Sequence, residues 1–189
     1  MSLGGGLGPV LGMQRVASTK LAGAAVTTGA ITIPAFDVIL LVCNVIGYSG
    51  ADVASLRFNA DTAANYAYKH MYSVTDSTTA VTAVTATVSV VSNVSGVGDT
   101  SIPLGALTSA NGRTIHCWIQ NQTAKSKPLT MLTATAVGSV TIGAVGFADY
   151  GYGEWINTTA QITSIEMRTR GGVITLNAGS GFIVYGMNL

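Results

Sequence analysis

Residues able to do acid–base, nucleophilic or metal chemistry are scarce in this chain of 189 residues. His70 and His116 are the only histidines, and neither has a carboxylate beside it in sequence. A histidine without a partner to set its proton gives no sign of a base or a metal ligand, so both read as structural. The carboxylates Asp37, Asp52, Asp61, Asp76, Asp99, Asp149, Glu154 and Glu166 are spread almost evenly and fall mostly at predicted turns. Asp caps its own backbone at such places. A glycosidase needs two carboxyl groups opposed at roughly 5–10 Å, and no spacing here singles out a pair. Gly151-Tyr152-Gly153 carries two glycines as phosphate loops do, but no Lys or helix signal follows, so it reads as a turn. Cys43 and Cys117 lie 74 positions apart in apolar runs with no C-x-x-C spacing. They read as buried free thiols, a disulfide between adjacent strands being the other option. No catalytic, metal or cofactor site is expected.

The best candidate for recognition is the segment FADYGYGEW at 147–155. Glycines alternate there with Tyr150, Tyr152 and Trp155, and Asp149 and Glu154 flank them. Three readings are open. Tyr and Trp are enriched where subunits meet, they also pack in cores and loops, and aromatic faces with acidic acceptors suit sugars.

The elements that must position these residues are strands. Charged residues make up 9% of the chain, against roughly 25% in an average soluble domain. Hydrophobic residues make up 48%, enough for a sizeable core. A net charge of +1 is too small for an electrostatic footprint on nucleic acid or anionic lipid. The strongly apolar run Val38–Ile46 is far short of the roughly 20 residues of a spanning helix, so no membrane contact is expected. No basic stretch precedes the first residues as a signal peptide would require, and the chain is expected to be made and kept in cytoplasm.

Residues 1–12 read MSLGGGLGPVLG, with five glycines and a proline. They cannot hold regular structure alone. Leu3, Leu7, Val10 and Leu11 nevertheless give this flexible arm apolar side chains to bury in a neighbour's groove. The division expected is an arm over 1–18 and a β-sandwich domain over 19–189. Within the domain, β-branched runs bounded by turn residues predict strands. They fall near Thr19–Val26, Ala30–Ile33, Val38–Gly47, Ser55–Asn59, Asn65–Ser73, Val81–Ser92, Arg113–Asn121, Pro128–Val137, Glu154–Thr158, Ile162–Arg168, Val173–Leu176 and Phe182–Gly186. Thr163, Ile165, Met167 and Thr169 alternate with Ser164, Glu166 and Arg168, the mark of a half-buried strand. Val38–Ile46 does not alternate and reads as buried on both faces. Ala51–Ala54 and Asp61–Tyr66 could each form one helical turn. The class this implies is all-β, a jelly-roll-like two-sheet sandwich. An immunoglobulin-like sandwich is second, because Trp118 directly follows Cys117 instead of lying between two cysteines.

Two strings carry a resemblance. One is YSGAD at 48–52 running into LRFNADTAANY at 56–66, and the other is ITSI at 162–165 leading to NAGSGFIVYG at 177–186. Together they resemble a group of tailed-bacteriophage virion structural proteins, with Asn177 and Gly181 departing from that group's bulkier or charged residues. The resemblance covers about 35 residues and brings no catalytic residues with it. It implies a non-enzymatic component that decorates or cements the capsid. Its partners would be further copies of itself, as a homotrimer, and the major capsid protein or another virion protein. It would reside in the virion after assembly in the bacterial host cytoplasm. The alternative is a tail-associated receptor- or glycan-binding module using Tyr150, Tyr152 and Trp155. Independently, Asn59, Asp61 and Asn65 suit a self-capped turn, and Arg57 in an apolar strand needs a partner, for which Asp52 or Asp61 is nearest in sequence.

Overall fold

A computed structural model describes residues 12–74, 89–91, 100–105, 109–135 and 147–189. These residues contain twelve strands and no helix. They are β1 (Gln14–Lys20), β2 (Thr27–Thr32), β3 (Val38–Asp52), β4 (Ala54–Phe58), β5 (Tyr66–Val74) and β6 (Ser89–Val91) in the first half. The second half holds β7 (Ile102–Pro103), β8 (Ser109–Gln120), β9 (Lys127–Thr135), β10 (Phe147–Trp155), β11 (Ser164–Thr169) and β12 (Gly181–Met187). Pairing is antiparallel throughout. An eight-stranded sheet has the order β1-β12-β3-β8-β9-β10-β5-β6, and a four-stranded sheet the order β2-β11-β4-β7.

The two sheets close on one core and form a β-sandwich. Ile39, Leu41, Cys43 and Val45 of β3 and Ile115, Cys117 and Ile119 of β8 point inward from the large sheet. They share a cluster with Leu56 and Phe58 of β4, Ile102 of β7, and Ile165 and Met167 of β11. Burial of such side chains contributes about 1.5–3 kcal/mol each, which is the main force holding the layers together. In β11 the alternation expected from sequence holds, with Ile165, Met167 and Thr169 buried and Ser164, Glu166 and Arg168 half-buried.

Several expected elements differ. The first strand lies over Gln14–Lys20 and pairs with β12, so residues 14–18 belong to the sandwich and not to an arm. Its polar, edge-strand composition hides it from a hydrophobicity reading. The chain bends just after Lys20, where Thr19–Val26 was expected to continue as a strand. Leu3, Leu7, Val10 and Leu11 lie outside the described residues, as does most of the strand expected over Val81–Ser92. Val173–Leu176 is not a strand but a bend, tied down by bridges from Leu176 to Ala25 and Tyr48 and by hydrogen bonds of Thr175 with Ser49 and of Ile174 with Thr169. Both proposed helical turns fail: Ala51–Ala54 lies at the junction of β3 and β4, and 61–65 is a bend.

Val38–Ile46 is not buried on both faces. Ile39, Leu41, Cys43 and Val45 face the core, while Val38, Leu40 and Val42 are half-buried and Asn44 and Ile46 exposed on the outer face. Two glycines set how closely strands approach. A Cβ on Gly181 would lie 2.1 Å from the Thr19 carbonyl oxygen, so β1 can pair this tightly with β12 only against glycine. A Cβ on Gly153 would lie 2.8 Å from Ile102 Cγ2, so β7 rests on β10 where the side chain is missing.

Candidate functional site

The LRFNADTAANY string forms an internal knot. Asn59 and Ala60 both have positive φ, 50° and 54°, in a turn in which the Asp61 amide donates to the Phe58 carbonyl at 2.9 Å. Asn59 Oδ1 accepts from the Thr163 and Ser164 amides, both at 2.9 Å, and its Nδ2 donates to the Gln161 carbonyl at 2.8 Å. The Asn59 side chain therefore joins the turn to the lead-in of β11 instead of capping its own backbone. Asp61 Oδ1 accepts from the Ala63 amide, and Oδ2 accepts from Asn65 Nδ2 at 3.0 Å and from Trp155 Nε1 at 2.7 Å. Tyr66 Oη accepts from the Phe58 amide at 3.1 Å. Arg57 meets Glu166 at 3.8 Å and the Thr100 carbonyl, not Asp52 as one of the expected partners. Asn59, Asp61, Tyr66 and Arg57 are thus engaged in fixing the turn and joining it to neighbouring strands, so the string builds scaffold.

The segment 147–155 is neither a turn nor a loop patch. It is β10, a central strand between β9 and β5. Strand alternation sends Gly151, Gly153 and Trp155 inward and Tyr150, Tyr152 and Glu154 outward. Trp155 is therefore a core residue, 1% exposed, packed with its ring centroid 6.0 Å from that of Phe58. This corrects the expectation that it lies in a contact surface. Tyr150 and Tyr152 remain, 50% and 41% exposed. Burial together with the Glu154 carboxylate raises the Tyr152 phenol, so it stays a neutral donor and acceptor at physiological pH.

The register places these two tyrosines in a larger arrangement. Tyr185, Leu40, Trp118, Thr130 and Tyr152 are paired strand by strand across β12, β3, β8, β9 and β10. The neighbouring row runs Ile183, Val42, His116, Leu132 and Tyr150. Trp118 is 49% and Leu132 60% exposed. Two adjacent rows of mostly aliphatic and aromatic side chains thus cross five strands on the outer face with no formal charge. Charge returns around the first row, with Arg15 of β1 opposite Tyr185, Lys69 of β5 opposite Tyr152, and Glu154 of β10 beside Tyr152. The sequence reading found Tyr150 and Tyr152 but missed Trp118, Leu132, Leu40 and Val42. The signal was present in β8, where Ile115, Cys117 and Ile119 alternate with Thr114, His116, Trp118 and Gln120.

The remaining candidates are scattered. His116 is exposed within the second row, and His70 lies opposite Gly151 in the register. Among the described residues no three His, Cys, Asp or Glu residues lie close enough to hold a metal ion. Among the same residues no helix is long and apolar enough to cross a membrane. Cys43 and Cys117 are buried free thiols in adjacent strands. The hydrogen bond the Cys117 S–H donates to Cys43, together with burial, pushes the Cys117 thiol well above its ordinary value, which suppresses its thiolate. Compared with protein-family models, with curated proteins and with solved structures, the chain matches none.

Proposed function

We propose that this chain is a non-enzymatic virion structural protein of a tailed bacteriophage, decorating or cementing the capsid through self-association and contacts with the major capsid protein or another virion protein. The observation that carries this reading is the pair of uncharged, largely apolar rows across the outer face of the eight-stranded sheet. Exposed apolar patches beyond a few hundred Å² mark interaction surfaces. Obligate assemblies use large apolar interfaces, with energy concentrated in aromatic anchors such as Trp118. The protein would act by burying surface, in the virion, after assembly in the host cytoplasm.

Topology supports the jelly-roll part of the reading. Leaving aside β5, β6, β9 and β10, the remaining strands stand in the orders β1-β12-β3-β8 and β2-β11-β4-β7. β1 pairs with β12, β2 with β11, β3 with β8 and β4 with β7. Such an order is what one long antiparallel ribbon would give if rolled so that its halves alternate between two sheets, which supports a jelly-roll path. The four other strands come from two excursions of the chain and widen the large sheet beyond β8.

The deciding experiment is reconstitution. Purified protein added to capsids lacking it should bind at fixed occupancy, and removal of residues 1–12 should leave a folded sandwich that no longer stays on the particle. Particles that show no added density after mixing would refute capsid decoration. Exposed Tyr150, Tyr152 and Trp118 beside Thr130 and Glu154 favour a second reading, a tail-associated receptor- or glycan-binding module. Sugar binding by the isolated chain that is lost in Tyr152→Ala would select it.

A further inference from the structure

We infer that a second copy of this chain covers the outer face of the eight-stranded sheet, sheet against sheet about a two-fold axis, with Trp118 near its centre. The inference rests on the self-association reading above and names the surface that performs it. Size is the first argument. Five strands, β12 to β10, span about 24 Å, and the two apolar rows with one flanking row on each side, which bring in Val38, Gln120 and Glu154 and Asn44 and Thr114, span about 27 Å, giving roughly 650 Å² in projection. Side-chain relief brings that close to the roughly 800 Å² that each partner gives to a standard stable interface.

Charge is the second argument. The two central rows hold none, so like face on like face sets no charge against its own kind there, and Arg15, Lys69 and Glu154 fall at the rim. A nucleic acid or an acidic partner would call for the opposite layout. The composition of the rows is the third. Leu40, Val42, Leu132 and Ile183 fill the spaces between the aromatic rings, as in the interior of a sandwich, where a sugar platform would place hydrogen-bonding groups. Sheets so covered pack about 10 Å apart with strands inclined by about 30°. A flat face that meets its own copy closes as a pair, not as a ring of three. The excursion that supplies β9 and β10 would thus build the half of the interface carrying Leu132, Tyr150 and Tyr152.

The test is sedimentation of the full chain over a dilution series, with acrylamide quenching of tryptophan fluorescence as a second readout. Trp118 is exposed in one copy and Trp155 is buried, so pairing should shield the quenchable tryptophan and dilution should release it. Trp118→Asp and Leu132→Asp, both at exposed positions, should keep the circular dichroism and thermal midpoint of the single copy. Each should weaken pairing by about 30-fold or more. Val173→Asp, at an exposed bend away from this face, should change nothing. A wild-type pair that survives both substitutions would overturn the face while leaving self-association intact. A wild-type trimer dispersed by them would overturn the two-fold closure. A wild-type monomer at all concentrations would overturn both the face and the self-association reading, and if that monomer bound a glycan array through Trp118 the sugar reading would replace them.

Discussion

Removing the pyrrole ring of Trp155 gives a direct measure of how the LRFNADTAANY knot is held. In Trp155→Phe the indole N–H that donates 2.7 Å to Asp61 Oδ2 is lost. A hydrogen bond to an ionised acceptor contributes about 1.5–3 kcal/mol. The smaller ring also leaves a void at a site that is 1% exposed, costing about 1 kcal/mol more. Lost bond and void together should cost about 2.5–4 kcal/mol. Asp61→Ala should cost about 2–4 kcal/mol, because it leaves the Trp155 and Asn65 donors without their acceptor. Since both substitutions remove the same bond, the double variant should lose about 1–2 kcal/mol less than the two singles added. Urea unfolding followed by circular dichroism gives these differences, at one protein concentration so that association shifts every variant alike. A coupling below about 0.5 kcal/mol would show the two residues to be independent and refute the bond as the link between β10 and the turn.

Asn121→Ala should be among the most damaging single changes, by about 3 kcal/mol or more. Its buried amide donates to the Phe36 and Ile162 carbonyls at 2.8 and 3.1 Å and accepts from the Ile162 amide at 2.6 Å, which urea unfolding would register at once. Ala60→Gly should raise the thermal midpoint, gaining about 0.5–1 kcal/mol by relieving an L-residue held at φ 54°. Burial alone would raise the Asp61 carboxyl, but donors from Asn65, Trp155 and Ala63 and the nearby Arg57 outweigh it and hold it below its ordinary value. Its contribution to stability is thus complete above about pH 4, the unfolded value, and is lost as pH falls through the lower folded one. Asp61→Asn should flatten that part of an acid titration of the urea midpoint. Cys43 and Cys117 should resist thiol reagents in the native protein and react together on unfolding, and rapid labelling of either would contradict their burial.

How much of this could be read in the residues differs from strand to strand. In β11 each side chain faces one environment, so alternation alone located it. In β3 the outer positions Val38, Leu40 and Val42 are as aliphatic as the inner ones, so periodicity does not tell the half-buried outer face from the core face. β10 read as a turn because glycine is a turn former. Here Gly153 is small for an opposite reason, to let Ile102 and Leu129 press against the strand. Trp155 looked like a surface residue because it shares a segment with Tyr150 and Tyr152, which are exposed. The parity of the strand, unknowable until its register was fixed, sends it the other way. Nor does linear distance show that the acceptor of its indole lies in a turn 94 residues earlier.

The place of β12 in the large sheet bears on how the protein can be made. β12 lies between β1 and β3, hydrogen-bonded to both. When the first three strands leave the ribosome, the gap between β1 and β3 awaits a strand more than a hundred residues from being synthesised. No N-terminal half can therefore complete its own hydrogen bonding, and closure of the sheet must follow translation of residues 181–187. Until then both sides of the gap are open strand edges, the kind of surface that captures strands from other chains. Such long-range pairing is intrinsically slow. A cell making many copies at once would accumulate half-built chains with this gap exposed, so lower temperature and slower synthesis should raise the soluble yield more than any change to the finished surface.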